Sequence, residues 1–321
     1  MSKQYTYAVA RIHAKESSML KKSDIERLIS AADFEEAKSI LNEKGYDVTS
    51  SDEVDKILDR EREKTEKLIL EITDDISVLD AFFYDIDFHN LKAAIKATAG
   101  DGKTENIFIN GGTVPIEKIK QTIDNREFSL LPEFLKDTAE QALKILFETG
   151  NGSVCDTFVD KAYFETLISA GEKSGLDILK RYAELSAALS NIRIAARGAR
   201  EGKSIEFFKR SLVHCRTLSV NSMATAAVKG EDELIDYLKL TDYRDGTEAL
   251  KKSHIAFEKW SDDKIMAELR KEKANNFSIG SIVAYILAKE VEIKMVGLVL
   301  TAKQNKLDEQ KCRERLRELY V

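Results

Sequence analysis

Proline is almost missing from this chain: there are 2 in 321 residues, against an average usage of about 5%. Glycine is also low, at 15. A chain that avoids both helix breakers over this length reads as mostly helical. Collagen-like, disordered and small all-β chains are disfavoured. Cysteine is scarce as well. Cys155, Cys215 and Cys312 are odd in number and far apart, with no paired spacing. That argues against a disulfide framework and a structural zinc site, and it predicts a reducing compartment. Long apolar runs are lacking. The longest uncharged stretch, Ala274 to Ala288, has 15 residues and contains Asn275, Asn276, Ser278 and Ser281, whereas a spanning helix needs about 20 mostly apolar residues. The first 18 residues contain no apolar h-region, so no signal peptide is expected. An excess of basic charge is absent too. The net charge is −6 and the pI about 5.5, which argues against a whole-protein nucleic-acid binder.

Charged residues make up 33% of the chain and apolar residues 43%, a balance that suits amphipathic helices. The charge is unevenly spread. Residues 1–105 hold 16 basic and 23 acidic side chains, residues 106–205 hold 13 and 14, and residues 206–321 hold 21 and 19. Such asymmetry suits an adapter between unlike partners, although solvated helix faces produce it too. Ser23 with Glu26, and Asp33 with Glu36, fit capping boxes. Gly45 is a good stop for the helix after Asp33. Val54, Ile57, Leu58, Glu61, Thr65, Leu68, Ile69 and Ile72 form one stripe of a long helix. The charge run Asp59 to Lys64 reads as its solvated face. Ile107-Phe108-Ile109 is the only strand-like segment, and Pro115 sits where the first turn of a new helix would begin.

An internal repeat organises the whole. Phe88-His89-Asn90-Leu91-Lys92-Ala93-Ala94-Ile95-Lys96 matches Leu189-Ser190-Asn191-Ile192-Arg193-Ile194-Ala195-Ala196-Arg197 at an offset of 101 residues. The same step lands on Glu290 to Leu298, with Glu292 at the Asn position and Lys294 at the basic one. Asp59-Arg60 meets Asp160-Lys161 at the same offset. The reading is all-α: three homologous helical modules of about 101 residues, at 1–104, 105–205 and 206–321. Ala93, Ala94, Ala97, Ala195, Ala196, Ala199 and Gly297 permit close helix approach. The basic residues near each helix's C-terminal half favour its dipole. Lys92, Lys96, Arg193, Arg197 and Lys294 are structural or, alternatively, a partner interface.

Other constellations read as structure. Ala97 to Thr104 fits a loose phosphate-loop pattern, but such a loop needs a strand before it and a helix after it. Here the order is reversed, and Gly202-Lys203-Ser204 recurs 100 residues later, so both read as glycine helix stops followed by polar linkers. His13, His89, His214 and His254 lack zinc-site spacing. Cys155 follows Gly150 to Val154, a candidate exposed loop. Phe82-Phe83-Tyr84 with Phe88, and Phe207-Phe208, read as core. Leu307 to Val321 reads as an ordinary solvated helix or a basic partner-facing one. No catalytic, metal or cofactor site is expected.

The repeat resembles the C subunits of the archaeal and bacterial V-type (A-type) rotary ATPases, whose eukaryotic counterpart is called the d subunit. The likeness covers essentially the whole chain. It rests on Tyr7 to Lys15, Asn90-Leu91-Lys92, Asn191-Ile192-Arg193 and Glu290 to Leu316; Lys294 stands where arginine is expected and Asn305 where glycine is. The resemblance implies a non-catalytic rotor part: three helical domains in a pseudo-threefold funnel, seated on the membrane proteolipid ring and receiving the tip of the D–F shaft, with the membrane-sector a subunit near the ring. It would lie on the cytoplasmic face of the membrane as a peripheral part of the complex, passing torque for proton or sodium transport. Two other classes stay open. One is a nucleotide-dependent enzyme working through Gly102-Lys103-Thr104. The other is a cytosolic helical-repeat scaffold without rotary partners.

Overall fold

The computed structural model describes residues 5–49, 51–73, 77–98, 100, 107–275 and 278–321. Among these, every regular element is helical, as the shortage of proline and glycine requires. In chain order the helices begin with α1 (Thr6–Glu16), α2 (Lys22–Ile29), α3 (Phe34–Glu43) and α4 (Val54–Ile72). Then come α5 (Tyr84–Ala97), α6 (Ile116–Asn125), α7 (Glu133–Thr149), α8 (Gly152–Ser174) and α9 (Asp177–Arg200). Next are α10 (Ile205–Ser211), α11 (Val220–Lys229), α12 (Glu231–Lys239) and α13 (Thr247–Lys252). The last are α14 (His254–Arg270), α15 (Gly280–Gln304) and α16 (Glu309–Glu314).

The chain forms two compact units. One is Met1–Ser77 with Lys252–Val321, the other Val78–Lys251. In the first, α15 packs against α1 to α4 and α16. Its Ile293, Val296, Val299 and Leu300 join Leu28, Ile29, Leu41 and Ile57 in one core. In the second, α5 packs on α6, α7 and α8, while α9 packs on α8, α10, α11 and α12. The repeated segments at 88, 189 and 290 therefore each lie in a helix that other helices surround. The helix of the third segment is covered by the N-terminal residues. The module boundaries at 104 and 205 describe likeness between segments; compactness divides the chain elsewhere.

Local chemistry explains most helix ends. Asp33 Oδ1 accepts from Glu36 N at 2.9 Å, as a cap should, but the reciprocal arm of Glu36 goes to Ala32 N at 2.6 Å. The expected cap at Ser23 is displaced. Helix α2 starts earlier, and Asp24 Oδ2 accepts from Lys21 N at 2.9 Å. Gly45 (φ +89) and Gly202 (φ +63) adopt the left-handed conformation past α3 and α9. Around them Tyr46 N donates to Leu41 O and Lys203 N to Gly198 O, the Schellman closure. Pro115 is the residue before α6.

Four expectations need correction. Ile107-Phe108-Ile109 is not a strand. Among the described residues no strand pairs with it, and side chains of α5 bond its backbone instead. Cys155 is not in an exposed loop but buried in α8 at 1% exposure. Asn151 caps that helix ahead of it, so the segment is helix one turn sooner than its glycines suggest. The C-terminal segment is helical only over Glu309–Glu314. Beyond it the chain is pinned by Arg317 to Asp262 at 2.5 Å and by Arg270 to Glu318 at 2.8 Å. The run Asp59 to Lys64 is not simply solvated: Glu61 is buried, as its place on the apolar stripe implied, and Arg62 binds Glu290.

The aromatic clusters are core. Phe88 and Phe208 are fully buried, Tyr84 stacks on Phe134 at 4.1 Å, and Phe82 meets Tyr182 at 5.4 Å. Small residues do allow close approach. A Cβ on Gly198 would lie 2.5 Å from the Phe208 ring, and one on Gly297 would lie 2.8 Å from Leu58.

Candidate partner interface

The repeated asparagines have a shared job. Asn90 Nδ2 donates to Ile109 O at 2.8 Å and its Oδ1 accepts from Ile109 N at 2.9 Å. Asn191 Nδ2 donates to Val213 O at 2.7 Å and its Oδ1 accepts from Val213 N at 2.9 Å. A primary amide carries a donor and an acceptor side by side, so it pairs with a residue's backbone as a neighbouring strand would. Each asparagine clasps the chain returning after its helix. Both are completely buried, where an unpaired backbone group is costly.

The clasp on α5 has a second arm. Asp87 Oδ2 accepts from the Thr113 hydroxyl at 2.6 Å and Oδ1 from Val114 N at 2.9 Å. A Cβ on Gly112 would lie 2.4 Å from Asp87 Oδ1, so only glycine fits there. Burial pushes the Asp87 carboxyl up to about 6, against the opposing pull of these hydrogen bonds. His89 Nε2 lies 2.8 Å from Ile107 O. Sequence reasoning missed Asp87, although its place one turn before Asn90 was a usable signal.

In the third repeat Glu292 replaces the amide. A carboxylate only accepts, and it accepts Leu20 N at 2.7 Å and the Tyr46 hydroxyl at 2.9 Å. The charge is met by Lys289 Nζ, 2.5 Å from Glu292 and 2.8 Å from Glu61. All four side chains are buried. Burial pulls the Lys289 ammonium down, but the two carboxylates outweigh it and leave it raised. Burial raises Tyr46 well above an ordinary phenol, and Glu292 adds to this. Glu61 Oε2 accepts no hydrogen bond; Lys64 Nζ, 3.3 Å away, gives it only a charge contact. This network ties α15 to the N-terminal segment by charge where the other repeats use an amide.

The five basic residues separate into two kinds. Lys92 Nζ is 2.5 Å from Asp160 and Lys96 Nζ 2.7 Å from Asp156, both on α8. Arg193 and Arg197, one turn apart on α9, are exposed, as is Lys294 on α15. None of these three has an ion pair among the described residues. Of the loop pattern at Ala97 to Thr104, only Ala97, Thr98 and Gly100 lie among the described residues, and Ala97 is the last residue of α5. The pattern thus follows a helix, not a strand. No group of three potential metal ligands occurs among the described residues, and no helix is long and apolar enough to cross a membrane.

Known proteins are similar to this chain along nearly its whole length. The chain is 23% identical to the C subunit of the V-type sodium ATPase of Enterococcus hirae, covering 96% of this chain and 97% of that protein. It is 24% identical to the C subunit of the A-type ATP synthase of Methanocaldococcus jannaschii, over 97% and 86%. It is 22% identical to that of Methanosarcina acetivorans, over 97% and 92%. The family model for the ATP synthase (C/AC39) subunit matches residues 8–315, which take in all three repeated helices and the N-terminal segment covering the third. With the match spanning nearly the whole chain, this protein belongs to the ATP synthase (C/AC39) subunit family.

Proposed function

We propose that this chain is the non-catalytic central-stalk rotor subunit of a V/A-type ATPase. It joins the D–F shaft of the ATP-hydrolysing head to the proteolipid ring and passes torque between them for proton or sodium transport. It works as a peripheral protein at the cytoplasmic face, near the membrane-sector a subunit. The observation that carries this reading is the family match over residues 8–315, with relatives that are the C subunits of a sodium ATPase and of ATP synthases.

The physical design supports it. A torque-bearing joint must resist deformation, which favours close-packed helices over a hydrated cleft. Helices α5, α9 and α15 are buried on most sides, and paired hydrogen bonds clasp the chain returning after α5 and α9. The three-module, pseudo-threefold funnel belongs to this reading, as do Lys92, Lys96, Arg193, Arg197 and Lys294 as candidate interface residues. A contact of standard size buries roughly 1,200–2,000 Å².

The test is an affinity pull-down of the tagged protein from gently solubilised membranes, with bound proteins identified by mass spectrometry. Recovery of proteolipid and D–F shaft proteins is expected. Recovery alone, or with unrelated soluble partners, would replace the rotor reading with that of a cytosolic scaffold.

A further inference from the structure

Two pairs of basic residues occupy the same places in the repeat, and only one pair is matched. On α5, Lys92 and Lys96 point to Asp160 and Asp156. Those two carboxylates are themselves one turn apart on a helix, α8. The contact is thus a helix-to-helix pairing of two cations spaced i, i+4 with two anions spaced i, i+4, the spacing at which side chains share a helix face. On α9, 101 residues further on, Arg193 and Arg197 hold the corresponding positions. They are exposed and without an ion pair among the described residues. The next arginine, Arg200, is already paired with Glu231 through Nε at 2.9 Å.

Leu189 and Ser190, one turn before Arg193, are buried by the molecule's own packing, whereas the two arginines are exposed. Guanidinium groups suit paired carboxylates better than lysine does, because each presents a planar fork of donors.

We propose that Arg193 and Arg197 dock a helix of a rotor partner protein that carries two carboxylates one turn apart, copying the contact Asp156 and Asp160 make within this chain. This rests on the rotor reading for the partner's identity, but not for its chemistry. Charge complementarity selects the occupant. The molecule's own α5–α8 contact shows how such an acidic helix lies on this repeat position.

The test uses the assembled complex carrying the chain with R193K and R197K, treated with a carbodiimide, which joins an amine to a carboxylate in direct contact. Cross-links at positions 193 and 197 to two acidic residues three or four apart, in one segment of a shaft or ring protein, are expected. The R193E/R197E chain should bind that same purified protein at least about tenfold more weakly. Its thermal midpoint should stay close to that of the wild type, since both positions are exposed. Cross-links that are absent or scattered, or binding changed by less than about twofold, would overturn the proposal while co-purification of ring and shaft leaves the rotor reading standing. Weaker binding confined to phosphatidylglycerol vesicles would overturn it in favour of lipid phosphate. If the wild-type chain recovers no rotor protein, the rotor reading falls. The cross-links at 193 and 197 are then read in whichever protein is bound, where a helical acidic pair supports the docking chemistry and its absence overturns it.

Discussion

Asn191 offers the sharpest view at the scale of single residues. Its amide saturates both backbone groups of Val213 in a dry site. Asn191→Ala removes both of these bonds and a third to Cys215 Sγ, leaving the buried Val213 N–H unpaired and its C=O with only the weak Cys215 thiol contact. Urea unfolding should show a loss of about 2–4 kcal/mol. Asn191→Asp keeps the acceptor but sets a carboxylate against Val213 O, and it should be no milder. Gly198 is a steric counterpart. With a Cβ 2.5 Å from a fully buried phenylalanine ring, Gly198→Ala should cost about 1–3 kcal/mol by overpacking. Asp87 carries a signature in pH. Its folded carboxyl is raised to about 6 from 3.8, so the folded state holds its proton more tightly than the unfolded one. The stability it contributes is complete below about pH 4 and is lost as the pH rises through 6. Asp87→Asn should flatten the pH dependence between 4 and 7 by on the order of 2–3 kcal/mol. Unfolding midpoints of both proteins across that range would check this, and identical slopes would count against it.

Among the elements, α15 shows how a repeat can keep its geometry and change its chemistry. Replacing the clasping amide by Glu292 made a buried cation necessary, and Lys289 supplies it. Lys289→Met leaves Glu292 and Glu61 buried without it and should destabilise by about 3–5 kcal/mol. Adding Glu292→Gln should recover part of that loss, so the two changes will not add. The sequence announced helix α15 and the departure at residue 292, because both sit inside the repeat. It also placed Glu61 on an apolar stripe. What stayed hidden was the link between them, since 61 and 292 are far apart and no local period connects them. The same holds for Lys92 with Asp160. The basic position stood out, but that an acid on α8 meets it follows only from packing. Ile107 to Ile109 misled for a related reason. An extended apolar run looks like a strand, and only the fold reveals that a side-chain amide takes the neighbour's place.

For the molecule as a whole, the unit built from both ends of the chain has a direct consequence. Leu20, Leu28, Ile29, Leu41 and Ile57 pack in one core with the apolar face of α15. Deleting residues 1–49 should therefore loosen a helix more than 200 positions away, with amide exchange in 280–304 rising far more than in 177–200. Equal protection in both would contradict this packing. The proposed role makes the largest claim, and reconstitution tests it most directly. The ATPase is rebuilt from its parts with and without this chain, and ATP hydrolysis and ion transport are measured together. A rotor coupler predicts hydrolysis that continues without it and ion transport that stops, both restored to coupling when the chain is added back. Ion transport that proceeds at the full rate in its absence would contradict the account.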